Sequence, residues 1–305
     1  MTIKIVIISL LLIISEIASP QAATSPDESL STVFEAKIYG NGKPIILLPG
    51  LMSDSSVYEE TIAALQKDFE VHALSLNGFG KLGSRSNDKQ LPFSLNLLEE
   101  SLIRYIRTNM SLKPHIVGHS MGGFTALSMA ISYPNEIEKV VSVDGLPFIG
   151  PVFTRSNETT ADQLRSQADS MLAAFSSMTS SQLADQARRG VFIQATKKED
   201  QEYIIDMAKG SNPQFTGQVM HELMSTDLRL ALRSTTTPIL LMGASGAFQT
   251  TQQHEFIANL YRAQFEGVEN AEVKMNTKAR HFIMLDSFDW FMANLNAFLS
   301  TSAKG

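Results

Sequence analysis

The sequence contains no cysteine and no excess of basic residues, and each shortage excludes a class of protein. Without cysteine the chain forms no disulfide, offers no thiolate to a metal and carries no lipid on a cysteine, so its core alone must stabilise it. The formal net charge of −6 argues against a nucleic-acid partner. What remains is an ordinary globular composition, with 44% hydrophobic and 18% charged residues.

Long apolar runs are also scarce, and the one near the start is short. Residues 5–14 are mostly apolar, follow Lys4, and lead into the small and polar segment 19–23. This layout is typical of a signal peptide and is too short for a comfortable membrane span. We therefore expect a signal peptide at 1–23, a periplasmic or secreted mature chain, and no stable membrane partner after cleavage. Because Gln21 fits the cleavage site poorly, an uncleaved amino-terminal anchor is the alternative.

Short apolar segments alternate with helical patterns along most of the chain. The pattern predicts strands at residues 32–39, 44–48, 71–76, 115–117, 140–143, 239–242 and 271–275. It predicts helices at residues 53–69, 95–109, 123–132, 250–265 and 288–299. Strands that alternate with helices indicate an α/β fold, a mainly parallel sheet covered by helices on both faces.

The alternation stops between two of these strands. Residues 146–237 contain no convincing strand, and their periodicity predicts short helices at 162–175, 181–189, 198–209 and 217–232. Such an insertion is most simply a helical cap over the mouth of a site. We therefore predict a core made of residues 24–145 and 238–305, with a helical cap at 146–237.

One motif carries the chemistry. Gly118-His119-Ser120-Met121-Gly122 is a G-x-S-x-G pattern that follows a predicted strand and precedes a predicted helix. In that context the serine stands on a sharp turn as a nucleophile, and glycines are needed because side chains would collide across the turn. Ser120 is therefore the candidate nucleophile.

A serine hydroxyl needs a base, and His281 is the best candidate among six histidines. It lies between the last predicted strand and the final helix, where a loop can reach back over the sheet. The other histidines lie in strand or helix patterns, or, for His119, beside the nucleophile with a side chain expected to point away from it.

These features resemble the α/β-hydrolase superfamily, most closely its capped, esterase-type serine hydrolases. The matching residues are Leu48-Pro49-Gly50-Leu51, Gly118-His119-Ser120-Met121-Gly122-Gly123 and Arg280-His281-Phe282, and the resemblance spans residues 44–298. It implies an α/β-hydrolase fold and a nucleophile, acid and histidine in that order. It also implies an oxyanion hole made by the backbone N–H groups of Leu51 and Met121.

The acid departs from the commonest pattern of the superfamily. That pattern places an aspartate soon after a glycine that follows the post-cap strand, but residues 242–248 contain no carboxylate. Asp144 ends the strand after the nucleophile's helix, where some members place their acid, and we predict that it orients His281. The alternatives are that Asp144 only binds backbone N–H groups of the next turn, or that Asp286 is the acid.

Two further patterns carry no site. Residues 78–83 match G-x-G-x-x-G, but residues 84–92 are predicted to form a polar loop in place of the required helix. His221-Glu222 begins an H-E-x-x-H pattern that Ser225 breaks. We predict no metal and no cofactor.

The sequence thus predicts a serine hydrolase that cleaves carboxylic esters through an acyl-enzyme. Its partner would be a small-molecule acyl substrate that is partly apolar. The alternatives are a lactone, amide or carbon–carbon bond hydrolase with the same residues, or a hydrolase-like protein that binds a ligand and turns over slowly.

Overall fold

The computed structural model describes residues 33–87 and 93–301, so the predicted signal peptide lies outside the described residues. A seven-stranded sheet has the order β1-β3-β2-β4-β5-β6-β7. Its strands are β1 (Phe34–Tyr39), β2 (Lys43–Leu48), β3 (Phe69–Leu76), β4 (His115–His119), β5 (Lys139–Val143), β6 (Ile239–Ala244) and β7 (Ala271–Asn276). Only the β1–β3 pair is antiparallel. The predicted mainly parallel sheet is confirmed.

Helices cover both faces of this sheet. Those of the core are α1 (Glu59–Leu65), α2 (Leu95–Asn109), α3 (Met121–Ser132), α10 (Thr251–Ala263), α11 (Ile283–Asp286) and α12 (Phe288–Ser300). Two apolar clusters lie on opposite sides of the sheet, because successive strand residues such as Ile45 and Ile46 belong to different clusters. Burial on both faces explains why the inner parallel strands β2, β5 and β6 are largely continuous apolar runs.

Six α-helices lie between β5 and β6, in the segment 146–237 that was predicted as a cap, and this segment is called the cap below. They are α4 (Gly150–Thr154), α5 (Ala161–Ser176), α6 (Ser180–Gly190), α7 (Lys198–Gly210), α8 (Pro213–Ser225) and α9 (Arg229–Leu232). Capping boxes begin α5 and α6, in which Thr160 and Thr179 each exchange hydrogen bonds with the glutamine three residues later. Side-chain capping therefore fixes where these polar helices begin.

The structure corrects three predicted elements. The helix predicted at 53–69 is a 3₁₀ turn at Ser55–Tyr58 followed by α1, and it ends before Phe69 because that residue pairs with Lys43 in the sheet. The helix predicted at 217–232 is two helices, α8 and α9; between them the Asp227 side chain accepts the Arg229 N–H at 3.1 Å. The loop predicted at 84–92 begins as a 3₁₀ helix over Gly80–Asn87, and residues 88–92 lie outside the described part of the chain.

The glycine loop at 78–83 docks the cap onto the core. The carbonyl of Gly78 accepts the Asn212 N–H at 2.8 Å, and the Gly80 N–H donates to the Ser211 hydroxyl at 2.9 Å. A Cβ on Gly83 would lie 1.7 Å from the carbonyl oxygen of Gly210, so the two backbones approach more closely than any side chain allows. The G-x-G-x-x-G match therefore serves packing.

Strand order reverses between β2 and β4, which are neighbours although β3 lies between them in the chain. In open α/β sheets this reversal opens a crevice at the carboxyl ends of the strands, where ligands bind. Gly50 and Leu51 follow β2 and Ser120 follows β4, so the fold brings them to that crevice. Within residues 33–87 and 93–301, no helix has the length and apolar character needed to span a membrane.

Candidate active site

Ser120 lies on a strained turn between β4 and α3. Its φ of 53° and ψ of −115° are rare for a residue with a side chain, and its N–H donates to the Val143 carbonyl at 2.8 Å. The turn is tight on both sides of Ser120. A Cβ atom on Gly118 would lie 2.1 Å from the carbonyl oxygen of Gly122, and a Cβ atom on Gly122 would lie 2.4 Å from the carbonyl oxygen of Leu48. This geometry agrees with the predicted nucleophile elbow.

The two residues predicted to supply backbone donors lie on different sides of this turn. The hydrogen bonding of α3 begins with the Phe124 N–H and the Ser120 carbonyl, at 2.9 Å, so the Met121 N–H is one of the orphan donors at the helix start. Leu51 lies in a turn that Ser53 closes, since the Ser53 hydroxyl donates to the Gly50 carbonyl at 2.9 Å. Leu51, Met121 and Ser120 line the same cavity. The two residues predicted to form the oxyanion hole thus share a cavity with the candidate nucleophile, and their role as donors stays a prediction.

His281 and Asp144 are brought together from positions 137 residues apart. The Nδ1 of His281 donates to the Oδ2 of Asp144 at 2.6 Å. Because Nδ1 carries the proton in this bond, Nε2 is left as the acceptor. Asp144 has a positive φ of 51°, and its side chain is 7% exposed. The structure therefore pairs the predicted base with the predicted acid.

The other carboxylate candidate, Asp286, holds a different part of the molecule. It ends α11, and its Oδ1 accepts the Thr196 N–H at 2.8 Å while Oδ2 accepts the Thr196 hydroxyl at 2.9 Å and the Arg280 N–H at 2.8 Å. Asp286 therefore ties the loop that precedes His281 to the cap, and its hydrogen bonds do not involve the His281 ring.

His119 supports the loop of His281, a contact that sequence reasoning missed. Its Nε2 donates to the His281 carbonyl at 3.1 Å, and its ring centroid lies 4.6 Å from that of His281 and 4.3 Å from that of Phe282. Burial lowers the pKa of His119 well below its ordinary value, and His281 lowers it further, so the ring stays neutral. The aromatic residue after His281 was the only sequence signal for this packing.

The candidate residues open into one cavity of about 540 Å³ between the core and the cap. Ser120, His281 and Asp144 all line it. Its walls are mainly apolar and come from both parts of the chain, including Phe124, Phe175, Leu183, Met207, Met220 and Leu223. This size and lining are typical of sites for small apolar ligands. In the described residues no group of three or more His, Asp or Glu side chains is arranged to hold a metal ion.

Comparisons with known proteins agree with this architecture. A family model described as alpha/beta hydrolase fold matches residues 43–271. The chain is 25% identical over 229 residues to a pimeloyl-[acyl-carrier protein] methyl ester esterase from Nitrosomonas europaea. The matched region covers 70% of this chain and 84% of the relative. Over 102 residues it is 33% identical to the abhydrolase domain-containing protein abhd-5.2 of Caenorhabditis elegans, covering 33% of this chain and 23% of that protein.

Solved structures share the fold at lower identity. An esterase from Exiguobacterium antarcticum has a TM-score of 0.71 at 16% identity, covering 88% of this chain and 96% of its own. An enol-lactonase from Burkholderia xenovorans has a TM-score of 0.65 at 19% identity, with 88% and 96% covered. At these identities the likeness informs the fold alone.

Proposed function

The chain belongs to the α/β-hydrolase family, and from that membership we propose that it is a serine hydrolase that cleaves carboxylic esters through an acyl-enzyme. One observation carries the proposal: the His281–Asp144 hydrogen bond of 2.6 Å lies in the same apolar cavity as the strained Ser120. Esterases among the relatives support an ester as the substrate, since the Nitrosomonas europaea protein is named as a methyl ester esterase.

The proposed reaction begins with the serine hydroxyl. His281 Nε2 takes the proton of the Ser120 hydroxyl while Oγ forms a bond to the acyl carbon, and the carbonyl π electrons move onto oxygen. The Met121 and Leu51 N–H groups stabilise this oxyanion. When the intermediate collapses, the bond to the alkoxy group breaks, and that group leaves as an alcohol with the proton from His281. The acyl group remains on Ser120.

Water completes the cycle by the same steps. His281 removes a proton from a water molecule whose oxygen attacks the acyl carbon, and the bond to Ser120 then breaks as the proton returns to Oγ. The products are a carboxylic acid and the free enzyme. The Asp144 carboxylate orients His281 and stabilises the imidazolium that forms twice in each turnover.

The walls of the cavity favour an acyl chain with apolar character. Each additional buried CH₂ group contributes about 0.8 kcal/mol, so kcat/KM should rise about fourfold per carbon until the cavity is filled. Met171, Met207 and Met220 lie among the walls, and their flexible thioethers can repack around chains of different length.

The test is hydrolysis of p-nitrophenyl esters from acetate to long acyl chains, with Ser120→Ala as the inactive variant. The matched control is Ser101→Ala, because Ser101 is a buried serine on α2 whose hydroxyl donates to the Leu97 carbonyl. We expect turnover that Ser120→Ala abolishes and Ser101→Ala leaves intact. Turnover that survives in Ser120→Ala, or its absence on every ester, would contradict the proposal. Hydrolysis of a lactone and of an amide, measured alongside the esters, tests the alternative substrate classes.

A further inference from the structure

The two oxygens of the Asp144 carboxylate have different partners. Oδ2 accepts from His281 Nδ1, whereas Oδ1 accepts the Ala244 N–H at 2.8 Å and the Tyr261 hydroxyl at 3.1 Å. A carboxylate turns freely about its Cβ–Cγ bond unless hydrogen bonds fix its plane. The donors at Oδ1 come from β6 and α10, elements that follow Asp144 by about a hundred residues in the chain. They fix the direction in which Oδ2 faces.

Tyr261 is buried, and its ring packs closely against its surroundings. Its side chain is buried, with the residue 7% exposed, and a Cβ on Gly243 would lie 2.6 Å from the Tyr261 Cδ1 atom. The ring therefore occupies space that only a glycine at position 243 leaves open. Burial, and then the charge of Asp144, raises the pKa of Tyr261 well above its ordinary value, so the hydroxyl keeps its proton and donates.

The segment that lacks an acid after the cap contributes to the surroundings of Asp144. Residues 242–248, where the commonest pattern of the family places an aspartate, contain no carboxylate. Here β6 supplies a backbone N–H for the carboxylate of the neighbouring strand, together with the space at Gly243 for the ring that binds it. The candidate acid Asp144 instead follows β5, and the segment without a carboxylate supplies one of its hydrogen-bond donors.

We infer that Tyr261 is a positioning residue for the Asp144–His281 pair, an inference that rests on the proposed function. By holding Oδ1 through a hydrogen bond to a charged group, the hydroxyl keeps Oδ2 in line with His281 Nδ1. Tyr261 acts on the reaction through Asp144.

Tyr261→Phe tests this role, because it removes the hydroxyl and keeps the ring against Gly243. We expect kcat on a p-nitrophenyl ester to fall about tenfold while KM changes less than twofold. The rate at which a fluorophosphonate probe labels Ser120 should fall by a similar factor. The matched control is Tyr105→Phe, which removes a hydroxyl that bonds to His72 Nδ1 at 2.8 Å, outside the cavity lining. Its kcat should stay within twofold of the wild-type value.

A double-mutant cycle separates positioning from general structural support. In an Asp144→Ala background the hydroxyl has lost its acceptor, so Tyr261→Phe should change kcat and the labelling rate less than twofold. A second tenfold loss in that background, or a loss below twofold in the wild-type background, would overturn the inference. If Tyr261→Phe does not fold, Gly243→Ala displaces the ring, and the same cycle applies to it.

The probe keeps the two hypotheses apart. Labelling of Ser120 that depends on Tyr261, without turnover of any ester, would contradict the proposed function and support the positioning role. Ester turnover that is insensitive to Tyr261 would overturn the positioning role alone.

Discussion

Asp144→Asn offers the sharpest test of the catalytic arrangement, because the surroundings of Asp144 dictate how an asparagine would sit. Oδ1 receives two donors, the Ala244 N–H and the Tyr261 hydroxyl. An asparagine must place its amide oxygen there, because its NH₂ group would leave both donors without an acceptor. The NH₂ group then faces His281 Nδ1, where the carboxylate oxygen lies 2.6 Å away in the native chain.

The consequence is the wrong tautomer of the base. An NH₂ group donates, so Nδ1 of His281 must lose its proton, and the neutral ring then carries its proton on Nε2. A protonated Nε2 cannot accept the proton of the Ser120 hydroxyl. Loss of the correct tautomer in such a triad costs about 10⁴-fold in kcat, which corresponds to roughly 5 kcal/mol of transition-state stabilisation.

The assay is kcat on the best p-nitrophenyl ester, with Asp286→Asn as the matched control. Asp286 is also a carboxylate close to His281 in the chain, but it binds Thr196 and the Arg280 N–H. We expect Asp144→Asn to reduce kcat about 10⁴-fold, whereas Asp286→Asn, which loosens the loop before His281 and leaves the tautomer of the ring unchanged, should have an effect at least about a hundredfold smaller. More than one hundredth of the wild-type kcat in Asp144→Asn would refute the tautomer reasoning, and a collapse in Asp286→Asn alone would make Asp286 the acid.

Two further predictions concern the cavity and the stability of the fold. Met220 lines the cavity, so the larger side chain of Met220→Trp should take up space that a long acyl chain needs. We expect kcat/KM for the longest acyl chains to fall at least tenfold and kcat/KM for the acetate ester to change less than about twofold. An equal loss of kcat/KM on both esters would contradict this. Burial lowers the pKa of His115 to about 4 from 6.5, so the unfolded chain binds more protons below pH 6.5 and stability is lost as pH falls toward 4. Between pH 7.5 and pH 5 this histidine should lower the free energy of unfolding by about 2 kcal/mol. In His115→Gln, urea unfolding measured at the two pH values should lack this contribution. An unchanged pH dependence in the variant would show that His115 is not its source.

Local signals predicted much of this molecule correctly. The apolar runs marked the strands because parallel strands covered on both faces need apolar side chains throughout. The helix at 95–109 was also correct, because Ser94 caps its start, with its hydroxyl accepting the Leu97 N–H at 3.1 Å. Where a pairing partner or a short break decided the boundary, as at Phe69 and Asp227, periodicity alone was insufficient.

Within the candidate site, the sequence determined the residues whose surroundings lie close by in the chain. The elbow at Ser120 depends on glycines two positions away on either side, so a five-residue pattern carries its geometry. His281 was identifiable from its place between the last strand and the final helices. Both predictions used local patterns and the order of elements along the chain, which a sequence shows directly.

Only the tertiary structure decided what surrounds Asp144. Its contacts reach His281, Ala244 and Tyr261, each about a hundred or more positions away, and the order of strands in the sheet makes them neighbours. The contact between His119 and the His281 loop has the same origin. A one-dimensional pattern reports spacing along the chain, whereas the choice between Asp144 and Asp286 depends on which elements pack side by side. That is why the sequence left two acids open and the fold placed one of them against the histidine.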